Sequence, residues 1–387
     1  MKKKIINAFR RSTVFILISA FIVQNKALAE KTLQDSLSNI SAKSSVLICA
    51  DNGEIIYEKN AHDKMPIAST TKIMTALLAI ESAQAKDIDV TITEGMVPVE
   101  GSSMYLKVGN ILSLSSLAKG MLTVSGNDAA NSAAITIGGS IELFADIMNE
   151  KAKQIGMNDT HFVNPSGLDD EDHYSTAYDM ALLGAYAMEN ESFYNITSAK
   201  KAEVLFKDTN ETVTYYNENR MLSRYPGCLG IKTGFTKAAG RCLVTCAQRE
   251  KLRLIAVTLD AKDDWNDHEK LLNYGFLKMK ALTLEEKDEI AINLVGGNVE
   301  RINVSTKTPL NVIIEQEDKD KIVKVINLPK FIYAPVKKGQ IVGKIKYYAG
   351  DKLIGENEII VKNDEPLLKK ENFVKKICKY IGNLFKK

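Results

Sequence analysis

Three kinds of hydrophobic spacing follow one another along the 387-residue chain. An unbroken apolar run comes first, at residues 13–23. Residues 44–60, SSVLICADNGEIIYEKN, then carry two apolar-rich runs on either side of Asp51-Asn52-Gly53, the pattern of a β-hairpin. Helical spacing takes over at 68–83, 113–124, 128–138, 141–155 and 176–189. A loop-rich stretch, GMNDTHFVNPSGLDDEDHYS, fills 156–175. From about 201 the pattern turns to strands. GCLGIKTGF and GRCLVTCAQREKLRLIAVTLD predict three antiparallel strands, the last two joined tightly at Arg249-Glu250, and a helix follows over 266–280. Strand, then helices, then strands defines an α+β class: one antiparallel sheet covered by helices.

The spacing changes again near residue 285. Ile290, Ile292 and Leu294, then Ile302 and Val304, then Val323 and Val325, then Ile341, Ile345 and Tyr347 alternate with period two. Turn signals (GGN, KTP, KKGQ, AGDK) fall between them. This predicts a small all-β domain over 284–363, after a main domain over 30–283. The β domain holds no cluster of catalytic residue types and reads as a spacer or docking module. In the last segment, 364–387, apolar residues at 367, 374, 377, 378, 381, 384 and 385 have helical spacing, with lysines toward the other side.

Charge gives the two ends a meaning. The first 29 residues hold six Lys/Arg and no acids. A basic start, an apolar core of 11 residues and Ala27-Leu28-Ala29 make a secretory signal peptide cleaved after Ala29. An apolar core needs roughly 20 residues to span a bilayer; an uncleaved anchor helix is the alternative. The last 24 residues hold seven lysines and three acids. Such a helix fits the surface of an anionic membrane, its lysines on the head groups. The alternative is a helix packed on its own protein. An exported protein held at the outer face of the cytoplasmic membrane follows. Between the ends, 38 basic residues face 45 acidic ones, which argues against nucleic acid as a partner. The five cysteines are odd in number and lack disulfide or metal spacing, and the four histidines are scattered. No metal or other cofactor is expected.

The candidate chemistry starts at PIASTTKIMTAL, residues 66–77. Ser69 and Lys72 share a helix face at i and i+3. A serine at a helix N-terminus sits where developing negative charge is favoured. It still needs a base, and a lysine serves if burial or a second cation lowers its pKa. S-x-x-K occurs three times, also at Ser116/Lys119 and Ser198/Lys201. Company selects the first. Ser125-Gly126-Asn127 falls between two predicted helices, and Lys232-Thr233-Gly234 lies on a predicted strand. S-x-x-K, S-x-N and K-T-G in this order are the signature of penicillin-binding proteins and class A β-lactamases. Ser125, Asn127 or Asp128 capping the next helix, and Lys232 as a solvated strand lysine, are the plainer readings.

The chain resembles the low-molecular-mass penicillin-binding proteins that are D-alanyl-D-alanine carboxypeptidases. EGSSMYLKVGN, SGNDAANSAA, MNEKAKQIGMNDTHFVNPSGL, HYSTAYDMALL, RYPGCLGIKTGFTKAAGRCL and LLNYGF all look like that family, over roughly 32–280. YAPVKKGQIVGKI resembles its C-terminal β domain and the basic tail its membrane anchor. The resemblance implies a β-lactamase/transpeptidase-like domain. It implies that Ser69 attacks the carbonyl between the last two D-alanines of a peptidoglycan stem peptide while Lys72 takes its proton. Ser125 relays a proton to the leaving D-alanine, and Asn127 bonds the substrate amide. Lys232 and Thr233 hold the terminal carboxylate, and Lys232 helps keep Lys72 neutral. Backbone N–H groups of Ser69 and Phe235 form the oxyanion hole, and Gly234 leaves room for substrate along the strand. Inhibition by β-lactams follows. Some relatives add an arginine beyond the sheet, but the matching DAKDDWNDHEK has none. The rival readings are a class A-like β-lactamase and a non-catalytic wall-binding or sensor protein. The acids of 156–175 do not stand in a lactamase-like E-x-x-L-N context.

Overall fold

The computed structural model describes residue 35 and residues 37–97, 99–286 and 290–368. The predicted signal peptide, and the predicted tail helix beyond residue 368, lie outside the described residues. The chain divides into two compact units, Met1–Lys278 and Met279–Lys387.

In the first unit the N-terminal hairpin pairs β1 (Ser44–Cys49) with β2 (Ile55–Lys59). The chain then makes a 3-10 turn, Ala68–Thr71, and α1 (Lys72–Ala85). Every residue from Lys72 to Ile80 is buried, so this helix is covered on all sides and forms the centre of the unit. A short pair, β3 (Asp89–Thr91) and β4 (Ile111–Ser113), leads to α2 (Leu114–Val124), α3 (Asn127–Gly138) and α4 (Ile141–Ile155). After the loop come α5 (Ala177–Ala187) and α6 (Glu191–Ser198), then the hairpin β5 (Lys201–Phe206) and β6 (Glu211–Tyr216), and one turn, α7 (Met221–Arg224). The strands β7 (Cys228–Thr236), β8 (Gly240–Arg249) and β9 (Leu252–Ala261) precede α8 (Asp264–Lys278). The main sheet has the order β2-β1-β9-β8-β7, and each neighbouring pair is antiparallel. Thus the first strand lies inside the sheet, and the K-T-G strand, β7, is an edge.

The α+β class read from the spacing matches this architecture. Four details differ. The predicted helix at 68–83 is split, because Ala68 takes φ +48° and delays the α-helix to Lys72. The tight turn falls at Glu250-Lys251, one residue later than expected, with Arg249 opposite Leu252. The last helix ends at Lys278, since Met279 begins a strand of the second unit. The helix Glu191–Ser198 was not expected; Asn190 caps it, accepting from Ser192 N and Phe193 N.

The second unit pairs β10 (Met279–Leu284) with β13 (Leu310–Glu315). Its six-stranded sheet adds β11 (Ile290–Val295), β12 (Arg301–Thr306), β14 (Ile322–Asn327), β15 (Phe331–Tyr333), β16 (Ile341–Ala349) and β17 (Lys352–Val361) in the order β14-β16-β17-β12-β11-β15. Ile292, Leu294, Ile302, Val304, Ile345, Tyr347, Ile359 and Val361 are buried in its core. Val323, Val325 and Ile341, part of the same period-two pattern, are exposed. The first two lie on the edge strand β14, which pairs on one side only, with β16, and is exposed along most of its length.

Candidate active site

Ser69 lies on the 3-10 turn, and Lys72 opens α1 directly behind it. The Lys72 Nζ is 2.9 Å from Ser69 Oγ and donates to the Ser166 carbonyl at 2.6 Å. The lysine is 0% exposed, and among the described residues no carboxylate is bonded to it. Burial, and then the charge of Lys232, hold its pKa well below the usual lysine value. The expectation that Lys232 keeps Lys72 neutral therefore describes the smaller of two causes. Lys232 is itself buried; burial lowers its pKa to about 8, opposed by the carboxylate of Glu218. Its Nζ donates to Thr233 O at 3.0 Å and approaches Thr233 Oγ1 at 3.3 Å.

The loop at 156–175 is bound to the start of α1 by neighbouring helix side chains. Thr75 Oγ1 donates to Pro165 O at 2.7 Å, Lys72 donates to Ser166 O, and Thr71 Oγ1 lies 2.8 Å from His173 Nε2. His173 Nδ1 accepts from Val163 N, so Nε2 carries the proton and donates to Thr71 Oγ1, which donates to Ala68 O. Burial holds the pKa of His173 down at about 4, so the ring stays neutral and this chain of bonds steadies the turn that carries Ser69. The scattered spacing of the histidines gives no sign of this neighbour, which only tertiary folding supplies.

Ser69, Ser125, Thr233, Gly234 and Phe235 line one cleft of about 530 Å³, whereas Lys72, Asn127 and Lys232 are buried and do not form part of its surface. Ser125 is buried and ends α2 in the left-handed region, φ +60°. It does not cap α3; that place belongs to Gly126, with no side-chain cap bond. Asp128 instead accepts from Met104 N, Leu106 N and Ser103 Oγ, fixing the segment that faces the motif. Asn127 donates through Nδ2 to Glu100 O, and its Oδ1 is buried with no hydrogen-bond partner among the described residues. A Cβ on Gly234 would sit 3.0 Å from the backbone nitrogens of Ser69 and Thr70, so a glycine lets β7 approach the turn. Phe235, next on the strand, is exposed.

The remaining S-x-x-K matches are accounted for. Ser113 caps α2 and bonds Ser116, while Lys119 reaches only Glu203 O at the surface. Ser198 bonds Tyr194 O, and Lys201 pairs with Glu203 in solvent. The sequence reading missed six charged cleft residues, Glu218, Arg220, Arg241, Lys262, Asp263 and Asp264. Arg241 lies directly opposite Phe235 across the β7–β8 pair, a relation that only the register reveals.

A serine with a buried lysine base, in a cleft between a helical layer and the edge of an antiparallel sheet, defines the class of S-x-x-K serine hydrolases. Residues 29–263 match the Peptidase S11 family, D-alanyl-D-alanine carboxypeptidase, and 281–367 match the C-terminal domain of penicillin-binding protein 5. The chain belongs to the D-alanyl-D-alanine carboxypeptidase family. It is 32% identical to D-alanyl-D-alanine carboxypeptidase DacF of Bacillus subtilis, over 88% of this chain and 90% of that one. It is 31% identical to DacA of Escherichia coli K12, over 95% and 94%. The crystal structure of penicillin binding protein 5 from Haemophilus influenzae is similar at a TM-score of 0.66 and 30% identity, covering 85% of this chain and 98% of that one.

Gly167 tests the packing of loop on turn. It has φ +83°, and a Cβ there would lie 1.9 Å from Ala68 O. Gly167→Ala is expected to cost roughly 2–4 kcal/mol of stability and to slow acylation of Ser69. Thermal denaturation and the rate of labelling by fluorescent penicillin check both.

Proposed function

We propose that this chain is a serine-type D-Ala-D-Ala carboxypeptidase that removes the terminal D-alanine from peptidoglycan stem pentapeptides. The observation that carries the reading is the buried, carboxylate-free amine of Lys72, 2.9 Å from the Ser69 hydroxyl. The neutral amine takes the Ser69 proton as Oγ attacks the penultimate carbonyl. Backbone N–H groups of Ser69 and Phe235 receive the developing oxyanion. Ser125 passes a proton to the departing D-alanine nitrogen, and Asn127 Oδ1 accepts from a substrate amide. Water then hydrolyses the ester on Ser69 and restores the hydroxyl. No cofactor takes part.

The terminal carboxylate meets Lys232, Thr233 and a guanidinium. Thr233 and Phe235 are two apart on β7 and share a face, and Arg241 stands opposite Phe235. Arg241 therefore supplies the guanidinium that the stretch after β9 lacks, beside Lys262, which that stretch itself brings to the cleft. β-Lactams, which carry a carboxylate beside a strained amide, acylate the same serine.

Two rival readings are less well supported. A class A-like β-lactamase needs a carboxylate at the deacylating water, whereas the loop turns a backbone carbonyl, Ser166 O, toward Lys72 and leaves Glu171 exposed. A non-catalytic wall-binding protein gives no reason to bury two lysines in one cleft. The reading extends to the ends of the chain: export directed by 1–29, a catalytic domain over 30–283, a β domain over 284–363, and binding of 364–387 to the anionic outer face of the cytoplasmic membrane. Among the described residues no helix is long and apolar enough to cross a membrane.

Three outcomes test this. Ser69→Ala is expected to abolish both release of D-alanine from a pentapeptide and covalent labelling by penicillin; D-alanine release by the variant at the parent rate overturns the reading. For the parent, kcat/KM rises with pH as Lys72 gives up its proton and falls again near pH 8 as Lys232 loses the charge that holds the carboxylate. A flat profile up to pH 10 contradicts that assignment. Arg241→Ala is expected to raise KM about tenfold with kcat nearly unchanged, the loss of one charge-assisted contact to bound substrate.

A further inference from the structure

The second unit exposes apolar residues at both edges of its six-stranded sheet. At one edge, Phe331 and Tyr333 of β15 stand two apart on one face, their rings 5.4 Å apart and edge to face. Tyr333 is 67% exposed. β15 pairs in parallel with β11, which sets the exposed Val295 directly beside Tyr333. The alternate residue Leu294 is buried, so Val295 and Tyr333 look outward while the strand's other face fills the core. The last described residues reach the same corner. Leu368 N donates to Gly296 O at 2.7 Å, and Leu367 and Leu368 are both exposed. Beyond Leu368 the sequence holds seven lysines and one acid in 19 residues.

We propose that this rim (Val295, Phe331, Tyr333, Leu367 and Leu368) is a lipid-contact surface that lies against the same anionic bilayer as the segment after it. The proposal rests on the reading of 364–387 as membrane-binding, and the continuity of chain selects this edge. A cationic amphipathic segment starting at Leu368 holds the rim within a few residues of whatever surface that segment binds. Aromatic and aliphatic side chains at such a distance gain by entering the lipid interface, where the tyrosine keeps its hydroxyl in water. Nearby charge agrees in part. Lys330, Lys337 and Lys338 flank β15 in sequence, and two of the local acids are turned to backbone donors, Asp364 accepting from Lys338 N and Glu365 from Asn298 N, while Glu300 is exposed. At the opposite edge, β14 exposes Val323 and Val325, but no basic segment leaves from there.

The full mature chain is mixed with vesicles of equal parts phosphatidylglycerol and phosphatidylcholine, and the bound fraction is measured by sedimentation. The double variant Phe331→Ser/Tyr333→Ser is expected to partition about fivefold or more weakly. The deficit persists at high salt, where the lysine contribution is screened. Val323→Ser/Val325→Ser, on the other edge, binds like the parent. Parent-like circular dichroism and thermal unfolding of the second unit confirm that both variants fold. Parent-like binding of the β15 variant, or an equal loss in the β14 variant, overturns the proposal. Deletion of 369–387 separates it from the reading beneath it. Loss of binding on deletion, with none in the β15 variant, keeps the tail and discards the rim. Binding that survives deletion but needs Phe331 and Tyr333 discards the tail and keeps the rim.

Discussion

Two lysines buried in one cleft cannot both stay charged without a carboxylate between them, and that constraint organises the first unit. Lys72 and Lys232 are almost wholly excluded from water. A buried unpaired ammonium costs several kcal/mol, and a second beside it adds repulsion. The cheapest relief is for one amine to release its proton. Lys72, the more displaced of the two, becomes the neutral one, and its lone pair faces Ser69. Lys232, lowered less and supported by Glu218, keeps its charge near neutral pH for an anion to meet. A base and a cation thus arise from one residue type by burial and position alone.

Holding this arrangement requires backbones to come closer than side chains normally allow. The loop carrying Ser166 approaches the Ser69 turn at Gly167, and the edge strand approaches it at Gly234. At both points an added Cβ would meet backbone atoms. The turn itself places Ala68 in the left-handed region, a conformation disfavoured for alanine. The bonds from His173 through Thr71 to Ala68 oppose its relaxation. Strain at the nucleophile is therefore borne by a loop that would otherwise be only a connection.

Much of this was legible because each motif writes its local geometry into the sequence. The i, i+3 spacing of Ser69 and Lys72 places both at the helix start, and a strand pattern around Lys232 places it on a sheet. What stayed hidden depends on register or on tertiary neighbours. Arg241 enters the cleft because it is paired with Phe235, and a shift of one residue would turn it to the other face. His173 gains its place because a loop returns to α1 about 100 positions from its sequence neighbours. In the second unit, period-two spacing identifies strands but not edges, and Val323 and Val325, which share that spacing, are exposed. Alternation reports that a strand has two faces; it does not report how many neighbours cover them.

The edge position of β7 also bears on what the cleft accepts. An edge strand offers unpaired backbone groups to a further extended chain, and a stem peptide is such a chain. Pairing along β7 would carry a bound peptide past Gly234, toward Ser69 at one point and Thr233 and Arg241 at another. Backbone pairing reads little of the peptide's side chains, so selectivity rests on the end group: a carboxylate at a fixed distance from the scissile carbonyl. A β-lactam offers the same pair of groups on a rigid frame and needs no strand. Once acylated, Ser69 faces a loop that presents Ser166 O and no carboxylate to Lys72, so no second base stands ready to activate water from that side. A small mobile acyl group leaves room for water to approach, whereas a bulky rigid one obstructs it. On the proposed function, the same geometry that serves a peptide substrate would make a β-lactam acyl-enzyme long-lived.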